Sequence, residues 1–235
     1  MAIVKSIKQT LFIPIHPAGY PFIGICLALT AVLYYLFGPY PMFFGVLISM
    51  WCIYFFRNPV RYTPQQQNLI ISPADGRILS ITESVPPKKL GLTGNAFTKI
   101  SIFMNIFDVH VNRSPMEGLV IKKSYFPGSF VDASLDKASE KNEQLSITMN
   151  TTYGRNIAFV QIAGLIARRI LCNIDEGSQL KCGQQFGIIR FGSRVDLWLP
   201  NPIFIKVVVG QKTYAGETIL AEFEPTSELG EVRIE

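Results

Sequence analysis

A helical N-terminal hairpin followed by a β-rich (α+β) domain is the fold the sequence predicts, and three observations predict it. Two uncharged apolar runs stand near the N-terminus, at residues 20–37 and 42–56. Beyond residue 61 the apolar residues come in short runs bounded by Gly, Pro, Asn and Asp. Two glycine pairs six residues apart, Gly177/Gly183 and Gly210/Gly216, each lead into an apolar run.

The hairpin comes first. Of the 235 residues, 49% are hydrophobic, an oily balance that directs attention to a membrane segment. Each apolar run falls a little short of the roughly 20 residues that cross a bilayer. The insert Gly38-Pro39-Tyr40-Pro41 breaks a helix and makes a turn. Lys5 and Lys8 precede the first run, and Arg57 and Arg61 follow the second, while the turn is uncharged. By the positive-inside rule both ends face the cytoplasm, so residues 1–61 read as a membrane-associated hairpin on the cytoplasmic face of the cell membrane. The competing reading is a buried helical hairpin in a soluble core. The net charge of +5 beside an oily segment points to an anionic lipid surface rather than to nucleic acid.

Residues 62–235 form the second domain. The runs LIISP, GRILSI, TKISIFMNIF, GLVIKKSYF, QLSITMN and IAFVQIAG have the length and spacing of antiparallel strands. Helix is expected only at 133–143 and 165–170. The glycine pairs form a weak internal repeat of the kind found in barrel-sandwich hairpins of lipoyl-carrier type, where glycine supplies a positive φ at the turn. No Gly-rich phosphate loop is present. Cys26, Cys52, Cys172 and Cys182 are scattered without a C-x-x-C pair, which argues against zinc or a disulfide framework. His16 and His110 are the only histidines, so His110 is the one imidazole of the second domain. As a general base or acid it is the natural candidate; a satisfied strand histidine is the plain alternative. Alternation over 106–111 places Asp108 and His110 on one face of a strand.

The stretch RFGSRVD, residues 190–196, interrupts this β pattern with a Gly-Ser pair. A bulge or tight turn accounts for it simply. Chemistry offers a second account. A serine hydroxyl can attack the preceding carbonyl when the backbone is strained and a base takes its proton, and glycine there leaves the approach open. The resulting ester eliminates, the chain breaks, and the new N-terminus becomes a pyruvoyl group, an electron sink for decarboxylation.

Across most of the second domain the sequence resembles the phosphatidylserine decarboxylase proenzymes in their short bacterial and archaeal (type A) form. The matching pieces, in order, are CIYFFRNP (52–59), SPADGRI (72–78), SIFMNIFDVHVNRSP (101–115), DKAS and NE (136–139, 142–143), QIAGLIARRI (161–170) and GIIRFGSRVDLWLP (187–200). The resemblance implies cleavage between Gly192 and Ser193, giving a β subunit (1–192) and an α subunit (193–235) that begins with a pyruvoyl group made from Ser193. It implies decarboxylation of phosphatidylserine to phosphatidylethanolamine through a Schiff base, with no metal. Asp75 is implied to pair with histidine and assist self-cleavage, as the aspartate of a Ser-His-Asp set does. Arg168, Arg169 and Arg194 are candidates for the lipid headgroup, with Arg190 a rival. Longer relatives carry a second histidine where this chain has Arg113, which places more of the proton transfer on His110, or on Asp75 and water. Partners implied are phosphatidylserine in an anionic membrane and a possible homo-oligomer. Two rival readings are a membrane-tethered carrier modified at Lys137, from the DKA tripeptide, and a pyruvoyl enzyme acting on a soluble amino acid.

Overall fold

The computed structural model describes residues 13–94, 96–128, 142–164, 169–190, 192–225 and 232–234. The chain divides into two compact units at Val60/Arg61.

In the first unit the apolar runs are helices α1 (Tyr20–Phe37) and α2 (Pro39–Phe55). Gly38, at φ +81°, ends one and caps the other, and Pro39 occupies the first position of α2, where its missing N–H costs nothing. The two helices meet through small residues. Thr30 Oγ1 lies 3.3 Å from Ser49 Oγ, and both hydroxyls donate to a carbonyl one turn back, at Cys26 and Gly45. A Cβ on Gly45 would sit 2.6 Å from Thr30 Oγ1, so only glycine admits this approach. The outward faces expose Leu29, Tyr35, Phe37, Phe44 and Met50. Residues 17–37 form a helix long and apolar enough to cross a membrane by length and composition; Pro39–Phe55 is shorter.

The second unit is antiparallel β structure. Its strands are β1 (Tyr62–Pro64), β2 (Leu69–Ile71), β3 (Gly76–Ser84), β4 (Phe97–Met104), β5 (Val111–Arg113), β6 (Gly118–Phe126), β7 (Gln144–Thr151) and β8 (Asn156–Ala163). They continue with β9 (Arg169–Cys172), β10 (Gln179–Leu180), β11 (Gln185–Arg190), β12 (Ser193–Pro200), β13 (Phe204–Ile205), β14 (Lys212–Thr213), β15 (Ile219–Glu222) and β16 (Val232–Ile234). The main sheet runs β10-β6-β7-β8-β12-β4-β3-β14; smaller sheets are β5-β11-β9, β13-β15-β2 and β1-β16.

Strand β12 lies inside the main sheet, between β4 and β8, and alternates cleanly. Val195, Leu197 and Leu199 enter the principal core with Ile100, Ile102, Phe159 and Phe186. Trp198 joins Phe97, Ala158, Val160 and Ile162 on the opposite face. Each such Val, Leu, Ile or Phe side chain contributes about 1.5–3 kcal/mol on burial. Both faces being covered explains why these strands read as nearly continuous apolar runs.

The glycine repeat has a structural meaning. Gly177, Gly183, Gly210 and Gly216 all have φ between +78° and +87°. Each pair brackets a two-residue strand, β10 or β14, and these are the two edges of the main sheet. Short edge strands leave little unpaired backbone for another chain to join.

Two expectations differ from the structure. Asp108 and His110 are not in a strand: β4 stops at Met104, and residues 105–110 turn. Asn105 and Asp108 cause this. The Asn105 N–H donates to Asp108 Oδ2 (2.9 Å), and the Phe107 N–H donates to Asn105 Oδ1 (2.8 Å), local bonds that replace a ladder. Arg169 and Ile170, expected to end a helix, are strand β9 paired with β11; the rest of that expected helix lies outside the described residues. The helix expected at 133–143 lies outside them up to residue 141, as does Lys137.

Candidate active site at the Gly192–Ser193 junction

Gly192 stands where the chain leaves one sheet for another. Strand β11 belongs with β5 and β9, whereas β12 is inserted between β4 and β8. The change of direction is made at Gly192, whose φ is +71°. A non-glycine residue there would be strained by about 1–2 kcal/mol, although the space around a Cβ is open. Ser193, the first residue of β12, is wholly buried on the core face, opposite Met104 and Ala163.

Among the described residues, three groups surround the Gly192–Ser193 peptide. The Gly192 N–H donates to His110 Nε2 (3.2 Å). The Gly192 carbonyl oxygen accepts the Gly164 N–H (3.0 Å). The Ser193 hydroxyl donates to Met104 Sδ (3.3 Å). His110 is wholly buried, and its Nδ1 lies 3.0 Å from the Asp108 carbonyl oxygen. A backbone N–H can only donate, so Nε2 is the acceptor and the proton sits on Nδ1, donated to Asp108. This is the neutral tautomer a base needs, with its electron pair aimed at the junction, where it accepts the Gly192 N–H. The turn at 105–108, which the strand expectation missed, is what supplies the orienting carbonyl.

Gly164 is held in place by residues of the NE element. Asn142 Nδ2 donates to the Ala163 carbonyl (2.7 Å), and the Ala163 N–H donates to the Glu143 carbonyl (3.0 Å). The sequence marked the element without its purpose; here it fixes the end of β8.

Asp75 lies in the SPADG turn, and its hydrogen bonds bind Arg61 and Ala215. Arg61 Nη2 reaches both carboxylate oxygens (2.9 and 2.8 Å), and the Ala215 N–H donates to Oδ1 (2.8 Å). Burial raises the Asp75 carboxyl above its ordinary value; Arg61 is the largest influence pulling it down. Sequence reasoning missed Arg61 as that partner, treating it only as a charge flanking the hairpin. A carboxyl raised in the folded state favours folding while protonated and loses that contribution as pH rises through its folded pKa. Arg61→Met raises the carboxyl further. We therefore expect a stability loss of about 3–5 kcal/mol at neutral pH, shrinking in acid, read from chemical denaturation in detergent at both pH values.

Arg194 is wholly buried on the other face of β12. Its Nε and Nη2 grip Asp196 (2.5 and 3.0 Å), and Nη2 also donates to Ser101 Oγ (3.0 Å). Arg113 is buried, its guanidinium donating to the Gly183 carbonyl (3.1 Å). Arg169 and Arg190 are directly opposed across β9 and β11, two residues before Gly192. Burial, and then Arg169, lower the Arg190 guanidinium from its ordinary value. Arg168 lies outside the described residues. The four cysteines are free thiols.

Comparison with known proteins agrees along most of the chain. The phosphatidylserine decarboxylase family model matches residues 48–221. The phosphatidylserine decarboxylase proenzyme of Paramagnetospirillum magneticum is 46% identical over 230 residues, covering 97% of this chain and 95% of that protein.

Proposed function

The chain belongs to the phosphatidylserine decarboxylase family, and from that premise we propose that it cuts itself at Gly192–Ser193 and then decarboxylates phosphatidylserine. The observation that carries this reading is the convergence of an imidazole, a backbone N–H and a hydroxyl on one half-buried peptide bond.

Self-cleavage follows from these groups. His110 Nε2 releases the Gly192 N–H, and Ser193 Oγ leaves Met104, gives its proton to that nitrogen and adds to the Gly192 carbonyl carbon. Negative charge gathers on the Gly192 oxygen, which already accepts the Gly164 N–H. A preformed donor at that oxygen is the usual source of stabilisation for acyl transfer. His110 passes that proton to the Ser193 nitrogen as the C–N bond breaks, leaving Gly192 esterified through Ser193 Oγ. Removal of the Ser193 α-proton expels Gly192 as a carboxylate, and water then displaces ammonia from the new N-terminus. The residues fit the resulting pyruvoyl group: residue 193 is pinned between β4 and β8, and the open space beside Gly192 admits a reactant. That group supplies a ketone that condenses with a primary amine and accepts the electron pair left by CO2.

The chain's own residues do the rest. Burial excludes water around residue 193, and His110 is placed to return a proton. Asp75, held by Arg61, keeps the turn before β3 in place against β5, where the Arg113 N–H donates to the Pro73 carbonyl (3.0 Å). Two opposed cations are repulsive, and an anion between Arg169 and Arg190 relieves that, which favours this pair over Arg194 for the headgroup phosphate. The helix pair is read as a hairpin that holds the enzyme at an anionic membrane surface. The glycine turns support the likeness to lipoyl-type barrel-sandwich hairpins. Release of CO2 from phosphatidylserine vesicles, with none from free serine, is the expected result; turnover of free serine without phospholipid overturns the lipid assignment.

A further inference from the structure

Beside Ser193 lies a buried amide with one oxygen left over. Gln161 is wholly buried on β8, on the same sheet face as Ala163, the residue opposite Ser193. Val195 is opposite Gln161, so Gln161 and Ser193 are diagonal neighbours across β8 and β12, a separation long side chains bridge. Gln161 Nε2 donates to Asn112 Oδ1 (2.8 Å). Asn112 Nδ2 in turn faces the Pro73 carbonyl (3.4 Å) and Met104 Sδ (3.7 Å), the same sulfur that accepts the Ser193 hydroxyl. Rotating either amide by half a turn would set oxygen against oxygen, so the orientation of both is locked. Gln161 Oε1 therefore points away from this chain of bonds, and among the described residues it has no hydrogen-bond partner.

A buried acceptor left open is costly, and a site that keeps one has a donor to meet. Resting on the decarboxylase reading above, we propose that Gln161 Oε1 receives the N–H of the substrate amine as that amine reaches residue 193. The other polar groups of an aminophospholipid headgroup, carboxylate and phosphate, offer acceptors and would be repelled by a carbonyl oxygen. Only the amine can donate. Gln161 is thus a substrate-binding residue of the mature enzyme, with no part in cutting the chain. Gly187 helps to keep it in place: a Cβ there would meet Leu171 O at 2.3 Å and Gln161 Nε2 at 3.3 Å, so strand β11 closes over the amide only as glycine.

The test uses the full chain with vesicles containing phosphatidylethanolamine, whose amine binds without being decarboxylated. Cyanoborohydride fixes the bound amine to the C-terminal fragment, and the mass gain reports capture. Gln161→Leu is expected to cut itself to the same extent as the native chain, while half-maximal capture needs at least 10-fold more lipid. Gln161→Glu, kept protonated by its burial, donates its O–H to Asn112 Oδ1, leaves a carbonyl oxygen as acceptor, and is expected to capture close to native. Native-like capture by Gln161→Leu means that an ordered water satisfies the oxygen, and overturns the proposal. Failure of Gln161→Leu to cut itself, when folded, assigns the residue to maturation and overturns it equally. If Gln161→Leu does not fold, Gln161→Glu decides alone: cut but unable to capture, it sinks the idea. An uncut native chain is a separate outcome, refuting the self-cleavage reading instead.

Discussion

Ser193→Ala is expected to leave one uncut chain of 26.3 kDa under denaturing conditions, where the native protein is expected to give two fragments breaking at Gly192/Ser193. The physical ground is that in the proposed mechanism the hydroxyl is both the nucleophile and the source of the ketone. Without it His110 and the Gly164 N–H remain in place but have nothing to act on. Decarboxylation should fall by at least about 10⁴-fold, the scale on which an enzyme loses a covalent nucleophile. The substitution removes one oxygen whose hydrogen bond goes to a thioether, so little packing is lost and the fold should stand. Intact mass and CO2 release, measured on one preparation, check both parts. A native chain that remains whole yet active would refute the mechanism outright.

His110→Gln is expected to fold, to keep an acceptor near the Gly192 N–H, and to cut itself about 10²–10⁴-fold more slowly, the usual worth of a positioned general base. A time course of cleavage after synthesis measures this. The amide oxygen of glutamine can replace Nε2 as a hydrogen-bond acceptor but cannot hold a proton at neutral pH. If His110→Gln matures at the native rate, the imidazole serves only to tether Gly192, and the proton of Ser193 goes elsewhere. Arg113 is an unsuitable substitute, since a guanidinium carries no free electron pair and this one is buried against Gly183.

Several of these elements were legible beforehand. LIISP, GRILSI, GLVIKKSYF and QLSITMN each became a strand, because short apolar runs between turn formers have few other ways to be buried. The repeat glycines all took the positive φ that their spacing suggested. Neighbours in space were less legible. Nothing local to residues 193–200 says that this strand will lie between β4 and β8, so the oxyanion donor at Gly164 could not be inferred. Gln161 read as one polar letter in an apolar run, and its partner Asn112 as part of a motif. The turn at 105–108 escaped because period-two alternation continues through it, while Asn105 and Asp108 redirect the backbone with their side chains. Partnerships between distant residues are set by the closure of the whole sheet, and no window along the chain contains them.

The position of β12 has one more consequence. After the cut, residues 193–235 would still supply the strand between β4 and β8, and β14, β15 and β16 on that side pair with β3, β2 and β1 from the other. Separating the pieces would mean dismantling every sheet that joins them. Before the cut, refolding is a one-chain process whose rate is indifferent to protein concentration. Afterwards two strangers must find each other, and recovery becomes second order. Maturation would thus act as a ratchet: the chain has to fold first to assemble the chemistry that divides it, and a mature molecule that unfolds in dilute solution has no easy way back.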